Sequence, residues 1–153
     1  CYSPGWKMRA TPQLKYAIYG IFDLAYHGSR RPVPIQVIGQ RQGIPARYLE
    51  QIFQRLRRAG LVVSKRGPGG GYALARAPEA ISLADVVVAV QGVLISRSVG
   101  EGGEARECPS FVWGMLDADL AQALEARSVA DLCREAARRG VDRAASEPTM
   151  YHI

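Results

Sequence analysis

Basic side chains with almost no acid beside them are the most visible chemistry in this chain. Arg41, Arg47, Arg55, Arg57, Arg58, Lys65 and Arg66 fall between positions 40 and 66 with one acid, Glu50. That stretch carries +6, which is the whole net charge of the 153-residue chain. A patch of this kind attracts a polyanion; by charge alone, a solvated helix face is the equal alternative. The residue types within the patch say more. Arg47, Gln51, Arg55 and Arg58 alternate with apolar residues at helical spacing. Arg and Gln can each make two parallel hydrogen bonds to a base edge in a major groove. Tyr48 can reach a phosphate or stack on a sugar. Gln51 is expected at a base edge, and Arg55 and Arg58 at phosphates. Lys65 and Arg66 then precede Gly67-Pro68-Gly69-Gly70-Gly71, with Gly69 at the centre of a tip whose backbone can come close to DNA. That glycine run lacks the Lys-Ser/Thr ending of a P-loop and is not a GxGxxG opening a helix, so a nucleotide cradle does not fit.

The remaining reactive groups form no constellation. Cys1, Cys108 and Cys133 are widely spaced, with no CxxC pair, so neither a zinc ribbon nor a disulfide framework is indicated. This usage suits a reducing, cytoplasmic setting. His27 falls at a helix end and His152 near the C-terminus, and neither is placed beside a nucleophile. Asp117 and Asp119 point in different directions on one helix. The chain therefore reads as no enzyme, with no catalytic residues and no metal site. No run of about 18 apolar residues offers a membrane span, and residues 1–7, before Met8, lack a signal-peptide core.

The elements that must position the basic face follow from periodicity and punctuation. Thr11-Pro12 starts a first helix, Thr as cap and Pro in the first turn. Leu14, Ala17, Ile18, Ile21 and Ala25 recur along it, and Gly28 ends it. A short second segment spans 35–42. Gly43-Ile44-Pro45 turns into a third helix, with Pro45 in its first turn. Leu49, Ile52, Phe53 and Leu56 form that helix's buried stripe at i, i+3, i+4 and i+7. Strands over 61–64 and 72–74 make a hairpin around the glycine tip. Ser82 and Asp85 form a capping box, with Ile81 and Val86 as a staple, at the start of an apolar helix over 83–90 that is expected to be buried. Residues 96–107 read as a flexible loop. Trp113, Leu116, Leu120 and Leu124 then form a stripe suited to a partner helix. Ser128 caps a last helix with Leu132 and Ala136 inward and Cys133 near its apolar face.

Helix, short helix, turn, helix, hairpin is the winged helix-turn-helix plan. The runs Arg41-Gln42-Gly43-Ile44, Tyr48-Leu49-Glu50-Gln51-Ile52-Phe53, Leu56 to Val62, and Arg66-Gly67-Pro68-Gly69-Gly70-Gly71-Tyr72 resemble the Rrf2 family of transcriptional regulators, from Met8 to about Leu132. The resemblance implies a winged-helix homodimer whose long C-terminal helices cross, and palindromic sites on double-stranded DNA. Tyr48 and Gln51 match the family's DNA-contacting recognition-helix positions, and Arg66 matches its wing arginine. Pro45 and Arg47 occupy neighbouring contact positions with different residue types. Cluster-binding members carry three cysteines in the loop before the dimerisation helix. Here the corresponding loop, 96–109, holds only Cys108. Val99 and Ala105 stand near the other two positions, and Phe111 stands where a ligating histidine is expected. Glu101, Glu104 and Glu107 are hard donors that suit an iron–sulfur cluster poorly. No cofactor is therefore expected, and Cys108 is the candidate redox or effector site.

The sequence thus predicts a mainly α protein with a small β-wing. The DNA-binding domain spans 8–78, an effector loop and dimerisation helices span 79–143, and the tails 1–7 and 144–153 are flexible. The expected activity is sequence-specific DNA binding as a homodimeric repressor responding to a small-molecule or redox effector. Two other readings stand beside it: a cluster- or metal-dependent sensor, and a winged-helix module for protein–protein contact.

Overall fold

The computed structural model describes residues 11–28, 30–91 and 109–144. Thr11 is the N-cap of helix α1 (Pro12–Tyr26), and its hydroxyl accepts from the Leu14 amide. Helix α2 (Ile35–Gln42) and helix α3 (Ala46–Arg58) are joined by a tight turn. Gly43 closes α2 in the left-handed region at φ 68°, where only glycine is unstrained. Pro45 falls one position outside the expected first turn. It is the N-cap of α3, with an extended ψ of 131°. Leu49, Ile52, Phe53 and Leu56 are buried as the periodicity requires.

Strands β1 (Val62–Lys65) and β2 (Gly71–Leu74) pair antiparallel, Val62 opposite Leu74 and Lys65 opposite Gly71. Leu61 is not in the strand, as sequence patterning had it. Its amide bonds the Leu56 carbonyl while that of Gly60 bonds Arg57, so it completes the hydrogen-bonded end of α3. The hairpin base is tied to the segment before α2 by paired backbone bonds between Val33 and Tyr72, at 2.8 and 2.9 Å. Gly71 makes this junction possible. Its φ is 145°, and a Cβ there would fall on the Val33 carbonyl. The wing is thereby fixed against the body, which sets its angle to α3.

A 3-10 turn (Pro78–Ala80) leads to helix α4 (Leu83–Gln91). Ser82 and Asp85 form the reciprocal cap predicted for α4, both bonds at 3.0 Å, with Ile81 and Val86 fully buried. The helix buries Ala84, Val86, Val87 and Val90 but leaves Val88 half-exposed. Helix α5 (Phe111–Glu125) is followed by helix α6 (Val129–Arg138), capped by the Ser128–Asp131 box. The Leu83 amide bonds the Arg127 carbonyl, and the Val129 amide bonds that of Ile81, so α4 and α6 start side by side. One core unites Ile21, Leu24, Ile38, Phe53 and Leu56 with Ile81, Val86, Val90 and Val129, so apolar packing runs across residue 78. Cys133 packs against this core, and burial pushes its thiol pKa up.

The tails 1–7 and 145–153 and the loop 96–108, with Cys108, lie outside the described residues.

Candidate nucleic-acid interface

The buried stripe of α3 fixes which residues face outward. Turning 100° per residue away from Leu49, Ile52, Phe53 and Leu56 puts Arg47, Gln51, Gln54 and Arg58 in one line along the opposite side. All four are exposed. None of the ion pairs among the described residues involves Arg47 or Arg58. This line is a row of forked donors and amides, the equipment for base edges and phosphates. Gln54 completes it. Gln54 had no role assigned from sequence, although its spacing from Arg47 and Gln51 was signal enough.

The flanking residues are tied to neighbouring elements. Arg55 turns toward α4 and donates to the Val90 carbonyl at 3.1 Å, near the negative end of that helix. Arg57 turns toward the wing and donates to Ser64 Oγ at 3.2 Å. Tyr48 lies between α3 and α1. Its ring stacks on Tyr16, centroids 6.3 Å apart at 20°, and the Arg47 guanidinium lies over the Tyr48 ring at 4.8 Å. Arg41, counted with the basic stretch, is not on this face. Its guanidinium grips Asp23 with Nε at 3.1 Å and Nη2 at 2.6 Å, and Gln42 Nε2 adds a third bond at 2.9 Å. Asp23 is fully buried. The bonds pin the end of α2 to α1, and so hold the turn that aims α3. An acid inside the apolar run Ile21-Phe22-Asp23-Leu24 was the sequence signal for it.

The wing is hooked to α3 by Phe53 against Tyr72, centroids 4.8 Å apart. From that base β1 carries Lys65 and Arg66 out to an exposed tip, with Gly69 in the left-handed region at φ 72°. The wing packs beside α3, and Arg47, Tyr48, Gln51, Arg58, Lys65 and Arg66 are all exposed.

The dimerisation candidates divide into two groups. Leu120 and Leu124, on the C-terminal half of α5, are half-buried, whereas Trp113 and Leu116, on the same face nearer its start, are 43% and 45% exposed. Phe111 and Met115 are exposed as well, and no residue of α5 is fully buried. The first half of α5 thus carries an exposed apolar surface of the kind that marks an interaction site.

A three-helix DNA-reading unit with a hairpin wing defines the winged helix-turn-helix class of transcriptional regulators. Comparison with known proteins narrows the class. The model of the Rrf2 family, described as iron-dependent transcriptional regulators, matches residues 10–135. The chain belongs to the Rrf2 family of transcriptional regulators. It is 41% identical over 130 residues to the HTH-type transcriptional regulator IscR of Erwinia tasmaniensis, covering 82% of this chain and 78% of that one. Among solved structures it is similar to T. potens IscR, with a TM-score of 0.74 and 30% identity over 90% of this chain and 94% of that one. It is also similar to CymR, the global cysteine regulator of B. subtilis, with a TM-score of 0.71 and 29% identity over 84% and 98% of the two chains. Among the described residues no helix is long and apolar enough to cross a membrane.

The family description raises the question of iron. Among the described residues no three His, Cys, Asp or Glu gather into a metal-binding group. Cys133 is half-buried against the core and held toward its thiol form. The loop before α5 offers one sulfur, Cys108, and no imidazole, where an iron–sulfur cluster needs about four ligands, mostly thiolates.

Proposed function

We propose that two copies of the chain pair through α5 and read a palindromic operator, each laying α3 in a major groove and setting its wing tip on flanking DNA. The observation that carries this reading is the line Arg47, Gln51, Gln54 and Arg58: exposed and outside every ion pair among the described residues, with Lys65 and Arg66 exposed on the neighbouring wing. Phosphate contacts from Arg58, Lys65 and Arg66 supply affinity, and base contacts from Arg47 and Gln51 supply sequence preference. The exposed apolar side of α5 supports pairing, because a second α5 would cover Trp113 and Leu116. Two-fold pairing spaces the recognition helices about one DNA turn apart, or a multiple of it. Occupation of a promoter by such a dimer excludes polymerase, so the chain acts as a repressor and not as an enzyme.

Regulation operates without a cluster in this reading. The effector acts on the 96–109 loop, through oxidation of Cys108 or through a small molecule bound beside it. Protein purified without oxygen should be colourless and still bind DNA. Near-stoichiometric iron and sulfide would overturn this part. The DNA reading is tested by selecting bound duplexes from a random-sequence pool. Enrichment of an inverted repeat is expected, whereas no enrichment would favour a protein-contact module.

A further inference from the structure

We infer that Arg47 is the residue that reads a guanine in each half-site, and that Tyr48 and Tyr16, the latter on α1 outside the recognition helix, are positioning residues that hold it ready to do so. The inference rests on the DNA reading above and adds to it the base, the donor and the support.

Arg47 is the second residue of α3, at the end that a helix-turn-helix presents to base edges. A free arginine on a surface samples many rotamers and loses that freedom when it is fixed against a base. Here the freedom is already restricted. The guanidinium lies 4.8 Å from the Tyr48 ring centroid, and Nη2 donates to Tyr48 Oη at 3.0 Å. The Tyr48 ring would be a loose platform by itself, since the residue is 42% exposed. It is backed by Tyr16, stacked at 20°, and Tyr16 in turn packs against the core through α1. The order core, Tyr16, Tyr48, Arg47 is a rail from the rigid body to one guanidinium.

What the rail leaves available decides the base. Arginine has five N–H donors and no acceptor. One is spent on Tyr48, and the rest remain to be offered to a base. A fork of parallel donors matches O6 and N7 of guanine, two acceptors side by side in the major groove. Adenine offers N7 beside a donor, so it satisfies only one arm, and cytosine and thymine offer no such pair. No carboxylate among the described ion pairs competes for Arg47. Lysine would keep the charge but lose the fork.

The test is selection from random duplex DNA with the full-length protein, then competition binding against single-base variants of the selected site. The wild type should enrich one guanine per half-site. Arg47→Lys should flatten the preference at that base pair by about ten- to a hundredfold, with the other positions and the salt dependence retained. Tyr16→Leu, verified as folded by circular dichroism, should weaken the same preference several-fold and spare the rest. Tyr48→Phe, which keeps the stack and loses the hydroxyl, should lie between Tyr16→Leu and wild type. A selected site whose base preferences survive Arg47→Lys overturns the assignment of Arg47. Equal loss at every position in Tyr16→Leu assigns Tyr16 a merely structural role and overturns the rail. A wild type that selects nothing refutes the DNA reading itself, so the two failures are distinguishable.

Discussion

Arg41→Leu should be among the most destabilising single changes in the helix-turn-helix, and its size can be worked out from the Asp23 site. The Asp23 carboxylate is fully buried and holds three hydrogen bonds, two from Arg41 and one from Gln42. Removing Arg41 leaves a buried charge with one donor. Stripping one partner from a buried ion pair costs about 3–5 kcal/mol, a large share of the roughly 5–15 kcal/mol that holds a domain folded. The reverse change is milder. Arg41 is 23% exposed, so in Asp23→Leu water reaches the orphaned guanidinium, and the cost falls toward the ~1.5–3 kcal/mol of a lost charged hydrogen bond. Replacing both with Leu should recover much of the loss, because a desolvated pair of charges contributes little against apolar packing. The assay is urea denaturation at one protein concentration, followed by far-UV circular dichroism, for the four corners of the cycle. If Arg41→Leu costs under ~1 kcal/mol, or the two single costs simply add, the residues do not act as a pair and the reasoning fails.

Three further outcomes are expected. Gly71→Ala places a methyl on the Val33 carbonyl at a φ of 145°, so it should cost roughly 1–3 kcal/mol and weaken DNA binding by freeing the wing; unchanged stability and affinity would contradict the wing junction. Leu116→Glu, on the exposed first half of α5, should give folded monomers in sedimentation, whereas Leu120→Glu should also lower stability because Leu120 is half-buried. His27 Nδ1 accepts from the Ala144 amide at 2.7 Å, which requires a neutral ring. Burial, opposed by Asp23 and aided by Arg41 and Arg143, holds its pKa below the ordinary 6.5. The unfolded chain therefore takes up the proton first, so this contribution is present above pH 6.5 and is lost as pH falls through the lowered value. The protection of the Ala144 amide, its exchange rate compared with the intrinsic rate at each pH, should fall on acidification in the wild type and lose that pH dependence in His27→Asn.

Much of this was legible in the sequence because the signals were local. Thr11-Pro12, the Ser82–Asp85 box, the Ser128 cap, and the i, i+3, i+4, i+7 stripe of α3 each act within one or two helical turns, and each element formed where its signal stood. What was not legible was long-range choice of partner. A charge count treats every arginine alike, yet Arg41 is drawn to an aspartate 18 residues earlier and Arg55 to a carbonyl 35 residues later. The line of Arg47, Gln51, Gln54 and Arg58 emerges only when the buried face of α3 is fixed, which is why Gln54 carried no assigned role. Leu120 and Leu124 read like Trp113 and Leu116 in a heptad count, because spacing does not say which part of one stripe the fold itself already covers.

The salt dependence of operator binding tests the central claim most directly. If Arg58, Lys65 and Arg66 of two protomers neutralise phosphates, log K against log salt concentration should fall with a slope of about −5. Alanine at Arg58 or Arg66 should flatten it by nearly two units per dimer. A slope near zero, or one that neither substitution moves, would contradict the assignment of this face to DNA.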